Sequence, residues 1–329
     1  MNNVIGFENE FKLLSENLKN NQLNNSILII GNKGIGKFFF INKIIEDYLN
    51  LIINKDQIDH HLSLINNNTH PNIKILKKKI DEKTNKLKNN ITIDQIRELN
   101  YFSRETSILE SFPKFILIDS ADDLNLNSSN ALLKILEEPK NNTYFILLSH
   151  QPSSLLPTIK SRCLKLNLAS HNFINFKKIL NLQTFTLNEE LIKFLFDITN
   201  GSPGLSFDFN FDKILEIFDK LINSIIEIDS FTKLKNSLVE YFSEFENDQF
   251  KIHLSLLKFI LIVFQKIKMG IDIRESYLSK NILAIENLSD KIKIDTIHNK
   301  LEYLIKNEND LFIFNLDKKN FMINFFAEK

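Results

Sequence analysis

Residues 26–37 read SILIIGNKGIGK, an apolar run of five residues followed by a glycine-rich loop that ends in lysine. A short run of this kind, rich in isoleucine, is typical of a buried strand in a parallel sheet. Glycines between a strand and a helix let backbone N–H groups approach phosphate oxygens, and the lysine reaches the terminal phosphates. The spacing therefore predicts a phosphate-binding loop in which Gly31, Gly34, Gly36 and Lys37 contact a nucleotide.

Four more short apolar runs, separated by polar or helical segments, follow at 73–76, 115–118, 144–148 and 164–166. Together with the first they predict a parallel sheet that is buried on both faces. From about residue 172 the pattern is helical to the end of the chain. Within it, Asn200-Gly201 predicts a helix C-cap, and Ser202 predicts the N-cap of a further helix that begins at Pro203. The predicted fold class is therefore α/β followed by all-α, with a nucleotide-fold domain at 1–168, a small helical lid at 169–207 and a helical C-terminal domain at 208–329.

Two parts of a hydrolytic site are missing around the loop. The position after Lys37 should carry a hydroxyl that holds Mg²⁺, and here it is Phe38. The strand at 115–118 ends in Asp119, which is placed to support the same metal, but the next residue is Ser120 instead of a water-activating carboxylate. We expect no hydrolysis by the chain alone. Two interpretations of the loop stay open, a scaffold turn whose lysine caps carbonyls or lies in solvent, and a weak site for ATP or ADP.

A helix is predicted between the second and third of these later strands. Asn127 is a suitable N-cap, Ala131, Leu132, Ile135 and Leu136 form an apolar stripe, and Pro139 ends the helix.

An arginine stands out further along the chain, in Ser161-Arg162-Cys163. Only four of the 41 basic residues are arginines, so the chain otherwise uses lysine. Arginine offers a rigid planar fork of donors that matches phosphate oxygens, which lysine does not. This turn therefore favours a specific guanidinium contact.

Composition excludes several classes of function. The net formal charge is zero, so any contact with DNA must be local or shared with partners. Cys163 is the only cysteine, which excludes an intramolecular disulfide and a multi-cysteine zinc site, and His60, His61 and His70 lack companions that could replace cysteines. We expect no metal. The N-terminus lacks an export signal and the apolar run at 254–264 is too short to span a bilayer, so we expect a cytoplasmic protein.

These motifs together resemble the AAA+ clamp-loader family. The resemblance rests on residues 31–37, on 119–139 with its core NALLKILEEP, on LLPTI at 155–159 and on Ser161 to Cys163, with a weaker echo in GSPG at 201–204. It extends from residue 1 to about 207, and its most specific part is 130–163.

The resemblance implies a pentameric loader in which the arginine of Ser-Arg-Cys enters the ATP site of the neighbouring subunit. Arg162 is then the finger that acts in trans, and Ser161 and Cys163 shape its turn. The alternative is that Arg162 only forms a surface salt bridge within its own chain. Ser149 lies where the family keeps a polar nucleotide sensor, or is only a strand terminus. Motor subunits carry an arginine on the lid helix, and the aligned position here is Gly204.

The same resemblance implies partners but no required cofactor. The partners are the delta and gamma/tau-type subunits of the loader and, through the complex, the sliding clamp and primer–template DNA. No zinc, no membrane and no polymerase chemistry in this chain are implied, although the holoenzyme it would serve is a polymerase.

Two other functions remain open. One is an active ATPase motor subunit of the same loader, against which Phe38, Ser120 and Gly204 all speak. The other is a stand-alone nucleotide-binding regulator, which would leave residues 155–163 without a role. The apolar stripe at 252–264 is either core or partly a surface between subunits.

Overall fold

The computed structural model describes residues 4–53, 55–80, 88, 90–105, 109, 112–139, 142–182, 187–209, 218–219, 239–245, 247–271, 282–290, 292–314 and 316–327. The chain forms two compact units. Unit 1 comprises residues 1–179 with 202–204, and unit 2 comprises 180–201 with 205–329. The division into three domains after residues 168 and 207 stays a prediction.

Unit 1 is built on a five-stranded parallel sheet. Its strands are β1 (Ser26–Ile30), β2 (Ile73–Leu76), β3 (Lys114–Ile118), β4 (Thr143–Ser149) and β5 (Leu164–Asn167). They lie in the order β2-β3-β4-β1-β5, and every neighbouring pair is parallel. All five predicted strands and the α/β fold class are confirmed.

The helices before residue 183 are α1 (Glu8–Lys19), α2 (Lys37–Ile52), α3 (Lys55–Asn66), α4 (Ile93–Arg104), α5 (Leu126–Glu137), α6 (Pro157–Arg162) and α7 (Phe173–Leu182). Two shorter helices follow, α8 (Glu189–Thr199) and α9 (Pro203–Ser206). The remaining described helices are α10 (Asn247–Lys268), α11 (Ile282–Asp290), α12 (Ile294–Ile313) and α13 (Lys318–Ala327).

The sheet of unit 1 carries a separate apolar core on each face. Successive side chains of a strand point to opposite faces, so Ile27 and Ile29 join one core while Leu28 joins the other. Helices α1 and α2 cover the first face, and α4, α5 and α6 cover the second. The expectation of burial on both faces holds for β1, β3 and β4 but is wrong for β5, whose residues are mostly exposed because it pairs with β1 alone at the sheet edge.

The N-cap of helix α5 lies two residues before the predicted one. The N-cap is Asn125, whose side-chain oxygen accepts a hydrogen bond from the backbone N–H of Ser128 at 2.9 Å. The prediction of Asn127 is therefore wrong, since Asn127 already lies inside the helix. Both residues are asparagines, and only the backbone conformation distinguishes them.

Phenylalanine rings pack together in the core of unit 2. The rings of Phe194, Phe218 and Phe259 meet with centroids 4.9 to 5.8 Å apart, which are ordinary distances for aromatic packing. Most of the stripe at 252–264 is buried in this unit, and Ile262 is its exposed apolar member. Predicted helical residues at 210–217, 220–238 and 272–281 lie outside the described residues. Within the described ranges, no helix has both the length and the apolar character needed to cross a membrane.

The predicted cap between α8 and α9 is confirmed in part. Asn200 adopts the left-handed conformation after α8, and the N–H of Gly201 donates to the carbonyl of Phe196 at 3.0 Å. Helix α9 begins at Pro203 as predicted. The buried hydroxyl of Ser202 has no hydrogen-bond partner among the described residues, so its predicted capping role is wrong.

A buried histidine pair joins α3 to the segment before β2. The Nδ1 atom of His70 accepts the backbone N–H of Asn72 at 3.2 Å, which leaves the proton on Nε2 to be donated to Nδ1 of His61 at 3.1 Å. Burial and the neighbouring His61 lower the pKa of His70 to about 4, and burial and His60 lower the pKa of His61. Among the described residues, no three His, Cys, Asp or Glu side chains are grouped as a metal site requires.

The histidine pair predicts acid sensitivity. In the unfolded chain His70 takes up a proton near pH 6.5, whereas in the folded chain it does so only near pH 4. The folding stability therefore falls as the pH falls through this window. We expect His70→Asn to flatten the decline in unfolding temperature between pH 7 and pH 4.5. The exposed His298 offers a control, because His298→Asn should keep the slope of the original protein. Equal slopes in all three proteins would contradict the assignment.

Candidate functional site

The predicted nucleotide residues meet at the carboxyl edge of the sheet. The loop after β1 is tied to the end of β4, where the backbone N–H of Gly31 donates to the carbonyl of Ser149 at 3.1 Å. Asp119 follows β3, the next strand along. Parallel strands present their carboxyl ends at one edge, and ligands of such sheets bind there at the point where the strand order reverses. The loop, Ser149 and Asp119 therefore lie together at this edge, and their contact with a nucleotide stays a prediction.

The side chain of Lys37 folds back and bonds the backbone of its own loop. Its Nζ atom donates to the carbonyl of Gly31 at 2.6 Å and to the carbonyl of Asn32 at 2.9 Å. Burial lowers its pKa to about 8, against the opposing effect of Asp122 and Asp119. Two of the three ammonium protons are thus bound to backbone oxygens, and a phosphate would have to compete with them.

Asp122 is the centre of a hydrogen-bond network that sequence reasoning missed. Its carboxylate accepts the hydroxyl of Ser149 at 2.6 Å, the backbone N–H of His150 at 2.7 Å and the more distant hydroxyl of Ser154 at 3.4 Å. The Nδ1 atom of His150 also lies 2.8 Å from it. Burial alone would raise the pKa of Asp122, but the bonds from His150 and Ser149 lower it to about 2.

These contacts decide what Ser149 offers to a ligand. It is the last residue of β4, it is wholly buried, and its hydroxyl already donates to Asp122. The proton of the predicted sensor is therefore directed at Asp122. Asp119 is half-buried, and burial raises the pKa of its carboxyl group while Lys77 and Lys37 oppose the rise.

His171 contacts the glycine-rich loop, and sequence reasoning did not identify it either. Its Nε2 atom lies 3.0 Å from the carbonyl oxygen of Ile35, to which it donates, and its ring packs against Phe7 with centroids 4.7 Å apart. Burial lowers the pKa of His171, against the opposing effect of the Ile35 carbonyl and of Glu8. A buried histidine between an extended segment and a helix has no local signal that would connect it to a loop 136 residues earlier.

The segment 202–204 closes on the top of the loop. The backbone N–H of Gly204 donates to the carbonyl oxygen of Gly34 at 2.7 Å. A Cβ atom at residue 204 would lie 2.7 Å from that same oxygen, which is closer than real Cβ contacts allow. Any side chain here, including the arginine of motor subunits, would force the segment away from the loop. Phe38 is partly buried and packs against the core cluster beneath α2.

Arg162 lies at the last position of α6 and is held by its own chain. Its Nη1 atom donates to the carbonyl of Thr158 at 3.0 Å, and its Nη2 atom donates to Glu137 at 2.5 Å. Ser161 donates to the same carbonyl at 3.0 Å, while Cys163 is buried in the second core cluster. Burial raises the pKa of Cys163 to about 11, so the thiol packs and does not react.

A cleft of about 500 Å³ separates α4 from α5. Its lining includes three cations, Arg97, Arg104 and Lys134, and no carboxylate. Three amide side chains share it, from Asn100, Asn127 and Asn130. Two of the four arginines in the sequence therefore face one groove, which sequence reasoning left unassigned.

Comparison with known proteins assigns the family. Residues 6–172, half of the chain, match the family model described as DNA polymerase III, delta subunit. The chain belongs to the DNA polymerase III delta subunit family. The resemblance to clamp-loader proteins that the motifs indicated is thereby confirmed.

Relatives of this delta-family chain include two kinds of subunit. The DNA polymerase III subunit delta' of Pseudomonas aeruginosa is 45% identical over 97 residues, 30% of this chain and 27% of the relative. The subunit gamma of Buchnera aphidicola is 32% identical over 203 residues, 60% of this chain and 54% of the relative. The matches thus span about a quarter to a half of these relatives. A gamma subunit-related protein of known structure from Thermotoga maritima is 18% identical over 95% of this chain and 97% of its own, with a TM-score of 0.41.

We expect Gly204→Val to destabilise this delta-family protein by about 1–3 kcal/mol, because the new side chain meets the Gly34 carbonyl and the loop or the segment must shift. The free energy of unfolding, measured in urea, tests this. Lys33→Ala changes an exposed side chain of the same loop without crowding it and should stay near the original value. An unchanged free energy for Gly204→Val would show that the segment is not held against Gly34.

Proposed function

We propose that this chain is the delta-prime subunit, the stator, of a DNA polymerase III clamp loader. In this role it lends Arg162 to the ATP site of a neighbouring subunit while its own site does not hydrolyse ATP. The observation that carries the proposal is the contrast between the two sites. The nucleotide loop is closed by contacts within its own unit, whereas the Arg162 side chain is one-third exposed at the end of a short helix.

The chemistry of the loop supports the first half of this proposal. Backbone N–H groups of a glycine-rich loop suit an anion, so a weak site for ATP or ADP fits the residues present. A hydrolytic Mg²⁺ site fits poorly, because Phe38 supplies no oxygen and Ser120 supplies no base. The crowding at Gly204 removes room for a lid arginine as well.

The geometry of Arg162 supports the second half. Two of its five N–H donors are used within the chain. No described residue accepts from the other three, which can meet a planar array of phosphate oxygens. An arginine that stabilises charge on a transferring phosphoryl group contributes roughly 10³–10⁵ in rate. Ser161 and Cys163 support this placement, since one bonds α6 and the other anchors it in the core.

The gamma relatives favour a second candidate, an active ATPase subunit of the same loader. The two differ in what the purified chain does alone. Metal-dependent ATP hydrolysis above background would favour the motor, and its absence together with ATP hydrolysis by the assembled complex would favour the stator.

The proposed finger predicts that substitutions at Arg162 and at Lys37 have different effects on ATP turnover. In a complex reconstituted with the gamma/tau-type and delta subunits, Arg162→Ala should leave assembly intact and lower ATP turnover at the site that it faces by roughly 10³-fold or more. Arg162→Lys keeps the charge but loses the planar fork, so it should restore little. Lys37→Ala, in the chain's own loop, should change turnover far less. Turnover and clamp loading that survive Arg162→Ala would rule out the finger.

We further propose that the cleft between α4 and α5 faces the phosphate backbone of primer–template DNA. Cations and amide side chains are the groups that usually contact phosphate and sugar, and Arg97, Arg104 and Lys134 line one groove. Arg97 is also paired with Asp94 at 2.9 Å, so Arg104 and Lys134 are the main cations of the proposed contact. This placement suits a chain of zero net charge, whose DNA contact must be local. The sliding clamp would be reached through the complex.

The cleft predicts a change in salt dependence. Replacing Arg104 and Lys134 together by Gln should weaken DNA binding by the complex and reduce the slope of log K against log salt by about 2, one unit for each lost phosphate contact. Lys12→Gln is a suitable control because α1 covers the opposite face of the sheet. A slope equal in the double variant and the control would place DNA elsewhere.

A further inference from the structure

The ion pair between Arg162 and Glu137 joins two elements that carry the most specific motifs of the chain. Glu137 is the last residue of α5, and Arg162 is the last residue of α6. Their contact, 2.5 Å between Nη2 and Oε1, connects residues 25 apart in sequence. The carboxylate is about half exposed and the guanidinium about one-third exposed.

The carboxylate of Glu137 does not stabilise α5 by its position in the helix. The carbonyl end of a helix carries partial negative charge and favours cations, so an acidic residue in the last turn is mildly unfavourable for the helix. Only Lys134 in that turn is favourable. The guanidinium of Arg162 is the compensating contact that the structure provides.

Glu137 and a phosphate cannot share the guanidinium freely. A triphosphate bound to the Nη2 edge would lie within a few ångströms of the Glu137 carboxylate, and like charges at that distance repel. A carboxylate so close to the donor must therefore turn away before the arginine can take phosphate at this edge. Its exposure at the end of the helix leaves it room to do so.

We propose that Glu137 is a positioning residue that holds Arg162 in a resting place on its own chain and competes with the neighbour's triphosphate for the guanidinium. This rests on the proposed function of Arg162 as a finger. The contact at the Thr158 carbonyl involves the other nitrogen, Nη1, so the release of Glu137 leaves the arginine still anchored to α6.

The strength of the pair sets the size of the effect. Exposed ion pairs are weak because water screens them and two long side chains lose freedom. The competition therefore costs the neighbouring site about fivefold in ATP affinity at most. Such an ion pair is strong enough to favour the resting position of Arg162 when no nucleotide is present. It is also weak enough to be broken when the neighbour's triphosphate binds.

The test compares kinetic constants in the reconstituted complex. The Arg162-dependent part of ATP turnover is obtained by subtracting the rate of the Arg162→Ala complex, and its KM and kcat are then measured for Glu137→Gln. We expect KM to fall about twofold to fivefold with kcat unchanged, since the variant removes a competitor and leaves the bound state as it was. Glu138→Gln removes the adjacent charge, which contacts no cation among the described residues, and should leave both constants unchanged.

The outcomes separate the two proposals. If Arg162→Ala itself leaves turnover unchanged, the finger is wrong and the role of Glu137 fails with it. If Arg162→Ala lowers turnover but Glu137→Gln leaves KM where it was, the finger stands and the competition is wrong. A lower kcat in Glu137→Gln would also overturn the competition, because the carboxylate would then belong to the active arrangement. Unfolding temperatures of all variants establish that each is folded.

Discussion

The buried carboxylate of Asp122 connects the elements on which both candidate sites depend. It accepts hydrogen bonds from the end of β4 and from the loop after it, and it lies in the short turn that leads to α5. The loop after β4 continues to α6, so one side chain constrains the approach to α5, which carries Glu137, and to α6, which carries Arg162. Its pKa of about 2 keeps it charged at any pH at which the protein would work.

The two candidate sites are supported in opposite ways. The nucleotide loop is enclosed by groups of its own unit, with Lys37 and His171 bonded to its carbonyls and Gly204 pressed against Gly34. Arg162 instead ends a six-residue helix whose rear is fixed in the core by Ile159 and whose tip is exposed. The proposed stator role rests on this contrast between a closed loop and a partly exposed guanidinium.

Local patterns predicted the parts of this fold that depend on neighbouring residues. The five strands follow from runs of β-formers, and the loop follows from glycine spacing, because both are set by backbone preferences over a few positions. Contacts over long separations were not predictable in this way. Asp122 meets Ser149 across 27 residues and Glu137 meets Arg162 across 25, and nothing in either local stretch indicates its partner. The N-cap was predicted at Asn127 but lies at Asn125, because both asparagines satisfy the same capping rule and only the backbone conformation distinguishes them.

The state of Cys163 has a practical consequence for labelling. It is the only thiol in the sequence, it is buried, and its pKa of about 11 leaves almost no thiolate at neutral pH. Maleimide reagents require the thiolate, so the unmodified chain is nearly inert to them. A cysteine introduced at any exposed position would then take a fluorophore selectively, with no need to remove the native one. Distances from a probe on α6 to the rest of an assembly could be followed by energy transfer in a protein whose arginine turn is unaltered.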